Sequence, residues 1–200
     1  MGSGNKPPAM QAANKGAWLP QDLARASAHF GVPMLPSPSN FFSEVARKVI
    51  KCQRLLCAAQ ALCDPATVEG LVTSLTDAIH SDASFRDADN NLAIDEAFLR
   101  ACCEKVPTVR DVDALLAAAA GADAKAALRA TTDEAVERGA FGSPSMVIDM
   151  TGNAEVNPAG DDGDGNPFFI FGSDRFEQMA FTAGRRWDGP NPDAAGRSKL

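Results

Sequence analysis

The sequence predicts an α/β chain in which a long helical insertion separates a short opening stretch from a closing strand, loop, strand and helix. Three observations predict this. Asn40 to Arg138 is almost entirely helix-forming. Met146-Val147-Ile148 and Phe168-Phe169-Ile170-Phe171 are short apolar runs bounded by turn residues, the mark of strands. Ser173-Asp174 then turns the second run into an apolar-striped segment, Asp174 to Gly184, the pattern of a final helix.

In chain order, residues 1 to 19 carry too much Gly, Pro, Asn and Lys for regular structure, which predicts a surface loop. Pro20 then opens a short helix with Leu23, Ala26 and Phe30 on one face, closed by Gly31. Val32 to Ser39 is punctuated by prolines and predicts a crossing into the helical insertion. Ser39 or Asn40 is expected to cap a long helix through Leu62, and Asp64-Pro65 to cap the next. In that helix Val68, Leu71, Val72, Leu75 and Ile79 follow i, i+3, i+4, i+7 spacing and predict a core-facing stripe. Ser81 to Leu92 reads as a loop, and Asp95 to Lys105 as a helix turning Phe98, Leu99 and Cys102 inward. Thr108-Val-Arg-Asp111 has the spacing of a capping box with Asp in place of Glu, and a last helix is expected from Asp123 to Arg138.

The stretch Arg138 to Ile148 joins the insertion to the closing unit. Gly139 stops the helical pattern, and Gly142 is expected to take backbone angles that a side chain would forbid. Ser143-Pro144 leads directly into the Met146 to Asp149 strand, so Pro144 is a candidate cis-proline. Strand, polar loop, strand and helix together make the C-terminal half of a thioredoxin-like fold.

The composition, 45% hydrophobic and 22% charged over 200 residues, is that of a globular protein with a sizeable core. The formal net charge of −7 argues against nucleic acid as a partner, and no apolar run is long enough to predict a membrane span. The five cysteines form no C-x-x-C pair and sit in helical patterns, which predicts reduced, buried thiols. His29 and His80 lack Cys or Asp companions at ligand spacing and read as structural. Asp162, Asp164 and Asn166 alternate as calcium ligands do, but Pro167 replaces the required glycine, so a hairpin loop is expected and no metal site. Ser198-Lys199-Leu200 has the form of a peroxisomal import signal on a flexible tail, 191 to 200, which predicts a peroxisome or peroxisome-derived organelle and an import-receptor partner. Mitochondrion or cytoplasm is the alternative.

Gly139-Ala-Phe-Gly-Ser-Pro144, Phe171-Gly-Ser-Asp-Arg175, Trp187-Asp-Gly-Pro190 and Gly4-Asn-Lys-Pro-Pro8 resemble, in this order and spacing, motifs of kappa-class glutathione transferases and the related 2-hydroxychromene-2-carboxylate isomerases. The resemblance implies a DsbA-like thioredoxin fold with a remnant of the N-terminal part over 1–39, the helical insertion over 40–138, and the ββα half over 139–190. It implies glutathione as co-substrate, a small electrophile as second substrate, and a homodimer. Asn5 would hydrogen-bond glutathione, and Ser143, beside Pro144, would pair its main chain with the cysteinyl peptide. Ser173, as cap of the last helix, and Asp174 would receive the γ-glutamyl carboxylate and amine, since a helix N-terminus favours an anion. In the family a first strand, a helix and a second strand precede the Gly-Asn-Lys-Pro-Pro motif, and the serine that activates the glutathione thiol lies there. That serine would fall ahead of Met1, so no catalytic residue is named here, and the expectation is a truncated, impaired transferase, with isomerase or peroxidase activity open. The alternatives are a noncatalytic peroxisomal remnant that binds or dimerises, and a disulfide oxidoreductase.

Overall fold

The structure, a computed structural model, describes residues 13–148 and 168–189. The chain divides into two compact units, one formed by 18–132 and the other by 1–17 with 133–200.

The first unit is helical. Its elements are α1 (Ala13–Phe30, whose first residues belong to the other unit), α2 (Ala46–Lys48), α3 (Ile50–Leu62), α4 (Pro65–His80), α5 (Glu96–Glu104), α6 (Val112–Ala120) and the first part of α7 (Ala122–Glu137). Side-chain caps set the starts of α4, α5 and α6. Asp64 accepts from the Thr67 N–H at 2.9 Å with Pro65 in the first turn, and Asp95 accepts from Phe98 N–H at 2.9 Å. Each satisfies a donor that the helix itself leaves open. Leu55, Leu71, Ile94, Cys102 and Cys103 are fully buried at the centre, with Val45, Leu75, Leu92, Phe98, Leu115 and Ala119 around them. Ser74 Oγ donates to the Cys102 carbonyl at 2.9 Å, so the buried hydroxyl of α4 satisfies a carbonyl near the end of α5.

Four sequence expectations are corrected here. Residues 13 to 19 are helical, and Pro20 lies inside α1 instead of opening it, because a proline withholds one N–H bond while the turns on either side keep theirs. The long helix expected from Asn40 begins as a π-helical turn, Phe41–Val45, in which both Glu44 and Val45 N–H groups reach the Asn40 carbonyl. Asn40 does not cap it. Its side chain binds Leu92 at both ends, Nδ2 to the carbonyl at 3.0 Å and Oδ1 from the N–H at 3.1 Å, which ties down the 81–92 loop. The capping box at Thr108 is displaced: Asp111 itself caps α6, accepting from Ala114 N–H at 2.9 Å. Finally, Val72 is 44% exposed, so the buried stripe of α4 is carried by Leu71 and Leu75.

The second unit holds the end of α7, strands β1 (Ser145–Ile148) and β2 (Phe168–Phe171), a 3₁₀ turn at Ser173–Arg175, and α8 (Phe176–Thr182). The strands pair antiparallel in the register Ser145↔Phe171, Met146↔Ile170, Val147↔Phe169 and Ile148↔Phe168. Side chains alternate along a strand, so Met146, Ile148, Phe168 and the buried Ile170 share one face, and Val147, Phe169 and Phe171 the other. The fold is α/β thioredoxin-like, mostly helical, with a two-stranded sheet among the described residues. Among these residues no helix is long and apolar enough to cross a membrane.

Candidate functional site

The site is built where the end of α7 passes into β1. Gly139 ends the helix with φ +84°; its N–H meets the Val136 carbonyl at 3.0 Å and the Ala140 N–H meets Ala135 at 2.8 Å. That pair of bonds is the Schellman closure, which needs a residue in the left-handed region. Gly142, expected to be special in its backbone, is not at positive φ. Its role is to offer its carbonyl to Ser145 Oγ at 2.7 Å, a bond any residue type supplies. The Ser143–Pro144 peptide bond is cis, and both residues are exposed.

From the other side β2 delivers Gly172, whose N–H donates to the Pro144 carbonyl at 3.0 Å. This bond extends the β1–β2 ladder by one rung and joins Ser143-Pro144 to Ser173-Asp174. Gly172 sits at φ 104°, ψ 140°, a region essentially restricted to glycine. A Cβ there would lie 2.5 Å from Asp174 Oδ1, so the Asp174 carboxylate lies close over the glycine backbone.

Ser173 does not cap the helix, contrary to the sequence expectation. It is the first residue of a 3₁₀ turn whose cap position is Gly172, which has no side chain to offer, and the cap position of α8 itself is Arg175, whose side chain makes no capping bond. An N-cap side chain acts from extended backbone, whereas Ser173 has already entered the turn. Asp174 is exposed and ion-paired with Arg175 Nη1 at 2.7 Å, a partner that sequence reasoning did not name although it is the next residue. Asp174 also borders a shallow depression of about 400 Å³ shared with Glu177, Gln178 and Phe181.

Aromatic rings flank these loops. Phe141 packs against Phe171 with centroids 4.5 Å apart and against Phe169 at 6.0 Å, while Trp187 stacks on Phe176 at 6.2 Å and 20°. The phenylalanine of Gly-Ala-Phe-Gly was visible in the sequence, but its contact to β2 depends on the register and was not. Asn5 and the Ser198-Lys199-Leu200 signal lie outside the described residues, as does the Asp161 to Asn166 loop.

The described cysteines are free thiols. Burial pushes the Cys52 thiol up to about 12 and those of Cys102 and Cys103 up to about 11, the opposite of what a nucleophilic or redox thiol needs. Among the described residues no group of His, Cys, Asp or Glu is arranged to hold a metal ion. The Pro144–Gly172 junction offers exposed peptide groups beside Pro144, a carboxylate and a guanidinium at the start of the last helix, and an aromatic border.

Comparison with known proteins bears on the same segments. Residues 1–182 match the family described as DSBA-like thioredoxin domain. Glutathione S-transferase kappa 1 of Rattus norvegicus is 30% identical over 192 residues, spanning 95% of this chain and 75% of the rat protein. Glutathione S-transferase kappa 1 of Homo sapiens is 28% identical over 193 residues, spanning 96% of this chain and 76% of the human one.

Proposed function

Because the chain belongs to the DsbA-like thioredoxin family and, within it, to the kappa-class glutathione transferases, we propose that it binds glutathione at the Pro144–Gly172 junction and serves conjugation of that thiol to small electrophiles. The observation that carries this reading is the 3.0 Å bond from Gly172 N–H to the Pro144 carbonyl, which puts the two recognition stretches side by side in one unit. Glutathione is an extended tripeptide with two carboxylates, an amine and a thiol. Among the described residues the Ser143 main chain has no hydrogen-bond partner, so it is available to the cysteinyl peptide. Asp174 and Arg175 offer opposite charges at the start of the last helix, Asp174 for the γ-glutamyl amine and Arg175 for its carboxylate. Asn5 adds an amide donor.

Conjugation also needs the thiol deprotonated, and a free thiol has a pKa of about 8.5. No serine in the 200 residues stands in the Ser-Pro-Tyr-Ser-Trp-like loop that does this in the family. In this reading Ser143, Pro144, Asp174 and Arg175 serve tripeptide recognition; in the family, thiolate formation belongs to the first strand and loop. Residence in the peroxisome, directed by Ser198-Lys199-Leu200, and assembly as a homodimer belong to the same reading. Burial raises the thiols of Cys52, Cys102 and Cys103, so none of these three suits the redox chemistry of a disulfide oxidoreductase.

The test is isothermal titration of the chain with glutathione and with S-hexylglutathione. Binding of both, weakened about tenfold or more by Asp174→Asn through loss of a charge-assisted bond, supports the reading. No heat and no thermal shift at millimolar ligand refutes it.

A further inference from the structure

A second cavity lies wholly within the helical unit, and none of its lining residues is among those assigned to glutathione. It measures about 520 Å³ and is walled by α3, α5, α6 and the start of α7. That volume falls inside the range of about 300–1,000 Å³ typical of small-molecule sites. Its charge is unusual for this chain. Lys51, Arg54, Arg100 and Lys125 line it against Glu96 and Asp113, so four cations face two carboxylates, a balance of +2 in a protein of net −7.

The two carboxylates are already engaged. Arg100 pairs with Asp113 at 2.7 Å and with Glu96 at 3.5 Å. Lys51 Nζ reaches only the Ile94 carbonyl, at 3.3 Å, and among the described residues Lys125 has neither an ion pair nor a hydrogen bond. Arg54 is the decisive residue. It is half-buried, its Nε is shut off from solvent, and it has no hydrogen-bond partner among the described residues. A desolvated Nε without an acceptor is costly to keep, and the planar fork of the half-exposed guanidinium matches a carboxylate or a phosphate. Next to these cations Leu99, Leu116 and Ala119 present apolar side chains, each more than nine-tenths buried.

We infer that this cavity is a binding site for an organic anion with an apolar body, its carboxylate or phosphate headgroup held by Arg54 with Lys51 and Lys125, and its body laid on Leu99, Leu116 and Ala119. Its lining shares no residue with the Pro144–Gly172 junction. Three cations without anionic partners among the described residues draw the headgroup in, and burial of the alkyl or aryl part against leucine and alanine adds to affinity in proportion to the area covered.

The experiment is titration of the full chain with octanoate and with octyl phosphate, using octanol and inorganic phosphate as probes that keep only one of the two features. Both amphiphiles, or the one whose headgroup fits better, should bind with one-to-one stoichiometry and at least about tenfold more tightly than octanol or inorganic phosphate. Arg54→Met, which keeps the volume and removes the fork, should weaken binding about tenfold or more, the scale of one charge-assisted bond. Lys125→Gln, an exposed change that leaves the fold alone, should weaken it severalfold and more so at low salt. Glutathione affinity should be unchanged in both variants, which separates this site from the other. Octanol binding as tightly as octanoate, inorganic phosphate binding as tightly as octyl phosphate, or unaltered amphiphile affinity in both variants would overturn the assignment.

Discussion

Replacing Gly172 by alanine perturbs the junction at one atom, and its cost can be worked from two separable terms. The first is backbone: φ 104° with ψ 140° lies where only glycine rests without strain, and a side chain held there costs on the order of 1–3 kcal/mol. The second is contact, since the new methyl would stand 2.5 Å from Asp174 Oδ1. That atom is the tip of an exposed side chain paired, among the described residues, with its neighbour Arg175, so it swings aside at the cost of an ion pair worth about 0–1 kcal/mol. The backbone term therefore dominates. Gly172→Ala should lower the melting temperature by about 3–9 °C for a chain of this size, and the double variant with Asp174→Ala should recover little of it. The assay is thermal unfolding followed by circular dichroism and by tryptophan fluorescence, with amide hydrogen exchange at position 172 reporting the bond to Pro144. A single variant within 1 °C of the parent with unaltered amide protection would refute the reasoning. Full rescue by the double variant would show that contact, not backbone, governs the position.

Removing the Asp64 side chain (Asp64→Ala) strips the cap from α4 and should cost about 1 kcal/mol, read as a fall in denaturant midpoint at constant slope; Asp64→Asn should recover most of it. The Asp82 carboxylate is held well below the usual aspartate range, chiefly by its hydrogen bond from Lys105 at 2.6 Å and also by bonds from Ser84. A depressed folded-state pKa means stability present above about pH 4 and lost as pH falls below it, so acid unfolding of Asp82→Asn should be less steep than that of the parent, in circular dichroism followed from pH 6 to pH 2. Iodoacetamide at pH 7.5 under native conditions should label at most the half-buried Cys57 and Cys63, while Cys52, Cys102 and Cys103 stay unmodified until the chain is unfolded, as peptide mass spectrometry would read.

Elements with local signals were legible from sequence. Asp64-Pro65, Asp95 and Gly139 each mark a helix end by chemistry confined to three or four residues, and the structure uses all three. Asn40 misled because its cap-like position is overridden by a partner 52 residues away, Leu92, which no local pattern reveals. Thr108 misled because two capping residues stand three apart, and the helix took the second. Pro20 suggests a beginning because proline favours that position, yet one missing donor does not oblige a helix to start there. At the site, the two glycine-containing stretches were readable as turns, but which glycine bears the unusual conformation was not. Gly142 and Gly172 occur in the similar settings Phe-Gly-Ser-Pro and Phe-Gly-Ser-Asp, and only the latter is at positive φ, because there the chain leaves a strand and enters a turn within one residue.

The pairing of β1 with β2 has a consequence for how the sheet finds its alignment. Phe168-Phe169-Ile170-Phe171 is apolar at every position, so sliding it by one residue would exchange its two faces without placing anything polar where it does not belong. A strand of that kind contains no parity information of its own. The count has to start from a fixed origin, and the peptide bridge between residues 144 and 172 is the rung from which the other four pairs are numbered. Lengthening either flank by a single residue would thus disturb not one contact but the sidedness of the entire hairpin.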